Sequence, residues 1–138
     1  MLINNKTYKR IRRLSMQIEI QARDFTLTES LGSYIERRIN FFLSSKYDQI
    51  KRIRVSLSDI NGPRGGVDKR CQIQISLPRL KDIVIEDTEL DLYIAIDRAT
   101  DRIARTVNRR LARQHTKKRK LYVSHKRDPI PILNEQNL

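Results

Sequence analysis

The sequence has no tryptophan, three phenylalanines and five tyrosines in 138 residues, so its core must be built from aliphatic side chains. Its single cysteine, Cys71, excludes an internal disulfide framework and a multi-cysteine zinc site. A reducing, cytoplasmic setting is the expectation. No apolar run approaches the roughly 20 residues that a membrane helix needs. The basic N-terminus is not followed by an apolar stretch, so it does not read as a secretory signal. The chain is too short for a cofactor domain plus a substrate domain, and one domain with tails fits its length. The first 15 residues contain no acid at all.

Catalytic patterns are equally scarce. The two histidines, His115 and His125, have no carboxylate or cysteine close by in sequence and read as solvated tail residues. Cys71 falls on an alternating pattern and reads as a structural thiol. The turn cluster Asn61-Gly62-Pro63-Arg64-Gly65-Gly66 is not a phosphate loop, because no Lys-Ser/Thr follows at the required spacing. No enzyme activity, cofactor, metal or small-molecule substrate is therefore expected.

What is present is positive charge, and it is unevenly placed. Against 16 acids stand 29 Lys and Arg, a formal net charge of +13. Residues 16–97 are nearly balanced, with 12 basic and 13 acidic residues, whereas residues 98–127 hold 12 basic residues and one acid, Asp101. A neutral body with a basic C-terminal element and a short basic N-terminal arm points to a polyanion as partner.

Hydrophobic periodicity supplies the body. Residues 16–22, 53–58 and 71–77 alternate apolar and polar with period two, which predicts half-buried strands. Pro78 ends the third, and residues 83–86 make a short fourth. Between the first two lies a helix over about 28–44. Thr28 is its N-cap, and Leu31, Ile35, Ile39 and Phe42, with Leu43 beside them, form its stripe. A second helix, over about 90–115, carries Leu92, Ile96, Ala99, Ile103, Val107 and Leu111, and the acids of residues 82–91 lie at its start, where a helix N-terminus favours them. The order β-α-β-β-β-α predicts an α+β two-layer sandwich, a four-stranded mixed sheet with two helices on one face. The strands flanking the first helix should pair in parallel, and the rest should form an antiparallel meander. Residues 1–15 read as a basic extension, 16–115 as the folded domain and 116–138 as a basic, flexible tail.

The last helix is the most informative element. Arg98, Arg102, Arg105, Arg109 and Arg113 fall within an arc of about 80°, opposite Ile96, Ile103, Val107 and Leu111. Arg110 lies nearby, and Lys117 and Lys118 carry the charge onward. A solvated face normally mixes signs, because i, i+4 acid–base pairs stabilise it. On this helix only Asp101 offers a partner, so an external anion is the expected complement. The guanidinium fork grips phosphate oxygens in bidentate fashion and stacks on exposed bases, which suits structured RNA. Arg37 and Arg38, late in the first helix and off its apolar stripe, would extend the basic surface.

Strand order and the run Asp91-Leu92-Tyr93-Ile94-Ala95-Ile96-Asp97 together resemble the ribosome hibernation promoting factor family, which includes the ribosome-associated translation inhibitors. Leu27-Thr28-Glu29-Ser30-Leu31 is similar to that family's first-helix start, and the likeness covers residues 16–115. The resemblance implies docking on the small ribosomal subunit and its ribosomal RNA, in the channel used by messenger and transfer RNA, with translation arrested. It implies that Arg37, Arg38, Arg98, Arg102, Arg105 and Arg109 face RNA. No counterpart of the family's C-terminal dimerisation domain is read here, so a protein monomeric in solution, binding neither membrane nor small molecule, is expected. Two other readings stay open, a general double-stranded RNA-binding protein and a protein-interaction regulator.

Overall fold

The structure, a computed structural model, describes residues 6–13, 16–60 and 67–127, with side chains over 16–60 and 67–121. The turn cluster at residues 61–66 lies outside the described residues, as does the end of the basic tail.

Strand β1 spans Lys6–Arg13 and β2 spans Met16–Arg23. Helix α1, Glu29–Leu43, follows and runs into a short 3-10 turn over Ser44–Gln49. Strands β3 (Arg52–Asp59), β4 (Lys69–Ser76) and β5 (Ile83–Glu89) complete the sheet, and α2 occupies Leu92–Arg127. The sheet order is β1-β2-β3-β4-β5. The pair β2–β3 is parallel, with Ile18 opposite Ile53 and Ile20 opposite Val55, and β3–β4 and β4–β5 are antiparallel. The expected four-stranded mixed sheet with two helices is thus present as β2 to β5.

Two differences concern the ends. Residues 6–13, read from sequence as part of an extension, form an additional edge strand paired antiparallel to β2, from Lys6 opposite Arg23 to Arg13 opposite Met16. Main-chain hydrogen bonds need no hydrophobic alternation, so a strand written Lys-Thr-Tyr-Lys-Arg-Ile-Arg-Arg escapes a search for period two. Helix α2 also runs to Arg127 rather than ending near residue 115. Nothing between 115 and 127 breaks a helix, and Lys and Arg have good helix propensity.

The period-two pattern translates directly into burial. Met16, Ile18, Ile20 and Ala22 on β2, Ile53, Val55 and Leu57 on β3, and Cys71, Ile73 and Ile75 on β4 are all buried. Their alternate neighbours are polar and half-exposed or exposed, so one face of the sheet is core and the other meets water. The core is aliphatic, as the scarcity of rings requires. Each fully buried isoleucine contributes about 2 kcal/mol of transfer free energy. Burial pushes the Cys71 thiol well above its ordinary range, and the nearby Asp87 carboxylate adds to the effect. The thiol is therefore held neutral.

Helix α1 starts at the anticipated cap. The Leu31 amide donates to Thr28 Oγ1 at 3.2 Å, with Thr28 in an extended conformation and Glu29 in the first turn. Leu31, Ile35, Ile39 and Leu43 are its buried large side chains, so Leu43 rather than Phe42 completes the stripe. In α2 the Asp91 carboxylate caps the start, accepting from the Tyr93 amide at 2.7 Å. Ala95, Ile96, Ala99, Thr100 and Ile103 are buried in its first part, and the Thr100 hydroxyl donates to the Ile96 carbonyl at 2.8 Å. Among the described residues no helix is long and apolar enough to cross a membrane.

Candidate nucleic-acid interface

The fold divides into two compact units, residues 1–105 and 106–138, so the arginines of α2 fall into two groups. In the first unit Arg98, Arg102 and Arg105 are exposed, as helical spacing requires when Ile96 and Ile103 point inward. In the second unit Arg109, Arg113, Lys117 and Lys118 are exposed, Arg110 is half-exposed, and Val107 and Leu111 are buried. The Arg109 guanidinium donates to the Thr106 hydroxyl at 3.4 Å, a contact along its own helix.

The structure corrects one premise of the sequence reading. Asp101 is not the sole acidic partner of the arginines. Arg105 does pair with Asp101 at 2.9 Å, but Arg102 Nη1 lies 3.1 Å from Asp87 and Arg98 Nε lies 3.4 Å from Glu89. Arg102 also donates to the Glu86 carbonyl at 3.2 Å. Asp87 and Glu89 read from sequence as acids at a helix start. They belong to β5, and the fold brings that strand's C-terminal end against the first turns of α2.

Exposure decides what these pairs mean. The side chains of Arg98, Arg102 and Arg105 keep 63%, 48% and 65% of their surface in water. Ion pairs at such sites contribute about 0–1 kcal/mol and are screened by salt. They orient the guanidinium groups without removing them from solvent.

Helix α1 adds a smaller cluster within the first unit. Arg37 is exposed, with its guanidinium carbon 5.8 Å from the Tyr34 ring centroid. Arg38 is half-buried. Its Nε lies 3.1 Å from Asp97 Oδ1, an ion pair in which the N–H does not point along the contact. The Tyr34 hydroxyl donates to the same carboxylate, which holds the phenol proton and raises its pKa, with burial adding to the rise. Tyr34 also meets Tyr93 edge to face, with centroids 4.8 Å apart. Tyr34 escaped the sequence reading, and Tyr93 and Asp97 entered it only as members of the run Asp91–Asp97, with no role assigned to them. The one signal for Tyr34 is position, since it stands one turn before Arg37 and Arg38.

Among the described residues no group of three or more His, Cys, Asp or Glu could hold a metal. A cavity of about 130 Å³ on the sheet is lined by Gln21, Arg23, Ser56, Leu57, Ser58, Arg70 and Gln72.

Comparison with known proteins fits this arrangement. The structure resembles the N-terminal domain of Protein Y from Thermus thermophilus, with 30% identity and a TM-score of 0.53, covering 67% of this chain and 92% of that one. It also shares the fold of a ribosomal subunit interface protein from Coxiella burnetii, at 14% identity and a TM-score of 0.58, over 70% and 97% of the two chains. No curated protein sequence matches. Residues 18–115 match the family described as Sigma 54 modulation protein / S30EA ribosomal protein, a span from β2 through the arginine-bearing part of α2. By that match, with the strand order and second helix that the sequence pattern anticipated, the chain belongs to this family.

Proposed function

We propose that this chain is a ribosome-associated translation inhibitor, a hibernation factor. It works by binding rather than catalysis, on the small subunit's ribosomal RNA in the messenger and transfer RNA channel. The observation that carries the reading is the exposure of Arg98, Arg102, Arg105, Arg109 and Arg113 on one helix despite acids within reach of three of them. Family membership supports it, since the family description names a ribosomal protein. Arg37, Arg110, Lys117 and Lys118 add charge to the interface, and Arg38 contributes while held by Asp97. The setting is the cytoplasm.

The chemistry is electrostatic. Each guanidinium that replaces a counterion on a phosphate gains the entropy of the released ion, which confers affinity with little sequence preference. Position on the ribosome then comes from shape, and inhibition follows from occupying the path of messenger and transfer RNA.

The test is sedimentation of purified protein with small subunits at low salt. Wild type should travel with the particle. A variant with Arg102→Gln, Arg105→Glu and Arg109→Glu should remain at the top of the gradient with its circular dichroism unchanged. Glutamine is used at position 102 because Asp87 lies 3.1 Å from that guanidinium and a glutamate there would repel it. Wild type left at the top would contradict the proposal, and equal affinity for plain RNA duplexes would favour a general double-stranded RNA binder.

A further inference from the structure

Helix α1 carries a second stripe, distinct from the one that enters the core. Tyr34, Arg37, Arg38 and Phe41 occur at i, i+3, i+4 and i+7, so they share one helix face, rotated away from Leu31, Ile35 and Ile39. Phe41 is the anomaly of that face, a phenylalanine with 75% of its surface in water in a chain that has only three. It is more exposed than any other large hydrophobic among the residues with described side chains. Its ring is nevertheless placed, meeting Phe42 edge to face with centroids 5.0 Å apart. The Arg38 guanidinium carbon lies 5.9 Å from the Phe41 centroid and 4.9 Å from that of Phe42.

We propose that Phe41, flanked by Arg37 and Arg38, is a stacking platform for an unpaired RNA base, with the two arginines holding the phosphates on either side of it. The inference rests on the RNA-binding reading above and names the kind of RNA this second face takes. A flat ring with most of its surface open to solvent accepts any base, because every base has a π-face. Two cations one turn away fit the charge that always accompanies a base, which an apolar protein surface would not require. The arginines of α2 grip phosphate rails, whereas this stripe takes a nucleotide that has left its helix. Duplex RNA cannot offer that nucleotide, because its bases are already stacked.

The experiment uses fluorescence anisotropy with full-length protein and two probes, a labelled single-stranded oligouridylate and the same strand annealed to oligoadenylate. Phe41→Ala should weaken single-strand binding about tenfold and leave duplex binding within about twofold. Phe41→Leu keeps apolar bulk without a π-face and should weaken single-strand binding as much. Phe41→Trp should restore it. The dependence on salt should match wild type in every Phe41 variant, because no phosphate contact is lost. Position 41 is exposed, so none of these changes threatens the fold. Single-strand binding unaltered in Phe41→Ala, full binding by Phe41→Leu, or equal losses on both probes would each overturn the platform. Wild type that binds oligouridylate but fails to sediment with small subunits would remove the ribosomal proposal and leave the platform standing. Wild type that sediments but ignores single strands would remove the platform alone.

Discussion

The Tyr34 hydroxyl donates to Asp97 Oδ1 at 2.5 Å, and through that bond the middle of α1 is tied to the first turns of α2. Arg38 reaches the same carboxylate oxygen at 3.1 Å. Losing the phenol while keeping the ring isolates the hydrogen bond. Tyr34→Phe should cost about 1 kcal/mol, the typical net value of a partly exposed hydrogen bond. A drop in Tm of about 3–5 °C in a thermal melt would register it.

The same contact sets an alkaline limit. Because the bond to Asp97 and then burial raise the Tyr34 pKa in the folded protein, the folded state keeps that proton longer than the unfolded chain does. Its contribution is whole below the ordinary phenol value of about 10 and is lost as pH rises through the raised folded value. Denaturant titrations should show wild type losing stability across that window more steeply than Tyr34→Phe. Parallel curves would contradict this assignment.

The acids of β5 restrain the arginines of α2. Asp87 lies 3.1 Å from Arg102 Nη1, so under the proposed function it would compete with phosphate for that guanidinium and repel an RNA backbone. Asp87→Asn keeps the shape and removes the charge, so RNA affinity should rise about threefold to tenfold at low salt while stability falls by less than about 1 kcal/mol. Filter binding together with a thermal melt separates the two effects. A weaker complex would mean that Asp87 positions Arg102 for binding and does not restrain it.

Arg79 has a positive φ of 66° in the link between β4 and β5. The Leu80 amide donates to the Leu77 carbonyl at 3.3 Å, so Leu77-Pro78-Arg79-Leu80 is a hydrogen-bonded turn with proline first and a left-handed residue second. That second position favours glycine. Arg79→Gly should stabilise the protein by up to about 1 kcal/mol, the relief of left-handed strain being partly offset by the freedom glycine gives the unfolded chain. A melt shows it as a raised Tm.

What the sequence conveyed and what it withheld follow one physical division. Period-two runs such as Gln72-Ile73-Gln74-Ile75 state which face is buried, and the Thr28 cap and the Ile96–Ile103 stripe state where the helices lie. All of these are local signals, and the structure has them. The partners of Arg98 and Arg102 are not local. Glu89 and Asp87 stand 9 and 15 positions earlier, across a strand end and a helix start. Only the folded chain brings them together. β1 lacked alternation because main-chain bonding to β2 sufficed. Exposure of Phe41 was hidden because Phe41, Phe42 and Leu43 are consecutive apolar residues, and the helical phase that buries Leu43 is fixed by packing.

The central claim is that the outward guanidinium groups of α2 bind RNA phosphates. Its most direct test is the affinity of full-length protein for small-subunit RNA across a series of salt concentrations. If about six phosphates are engaged, log K should fall against log salt with a slope of roughly −4 to −5, made shallower by each arginine removed. A slope near zero, or one that ignores the loss of Arg105 and Arg109, would contradict it.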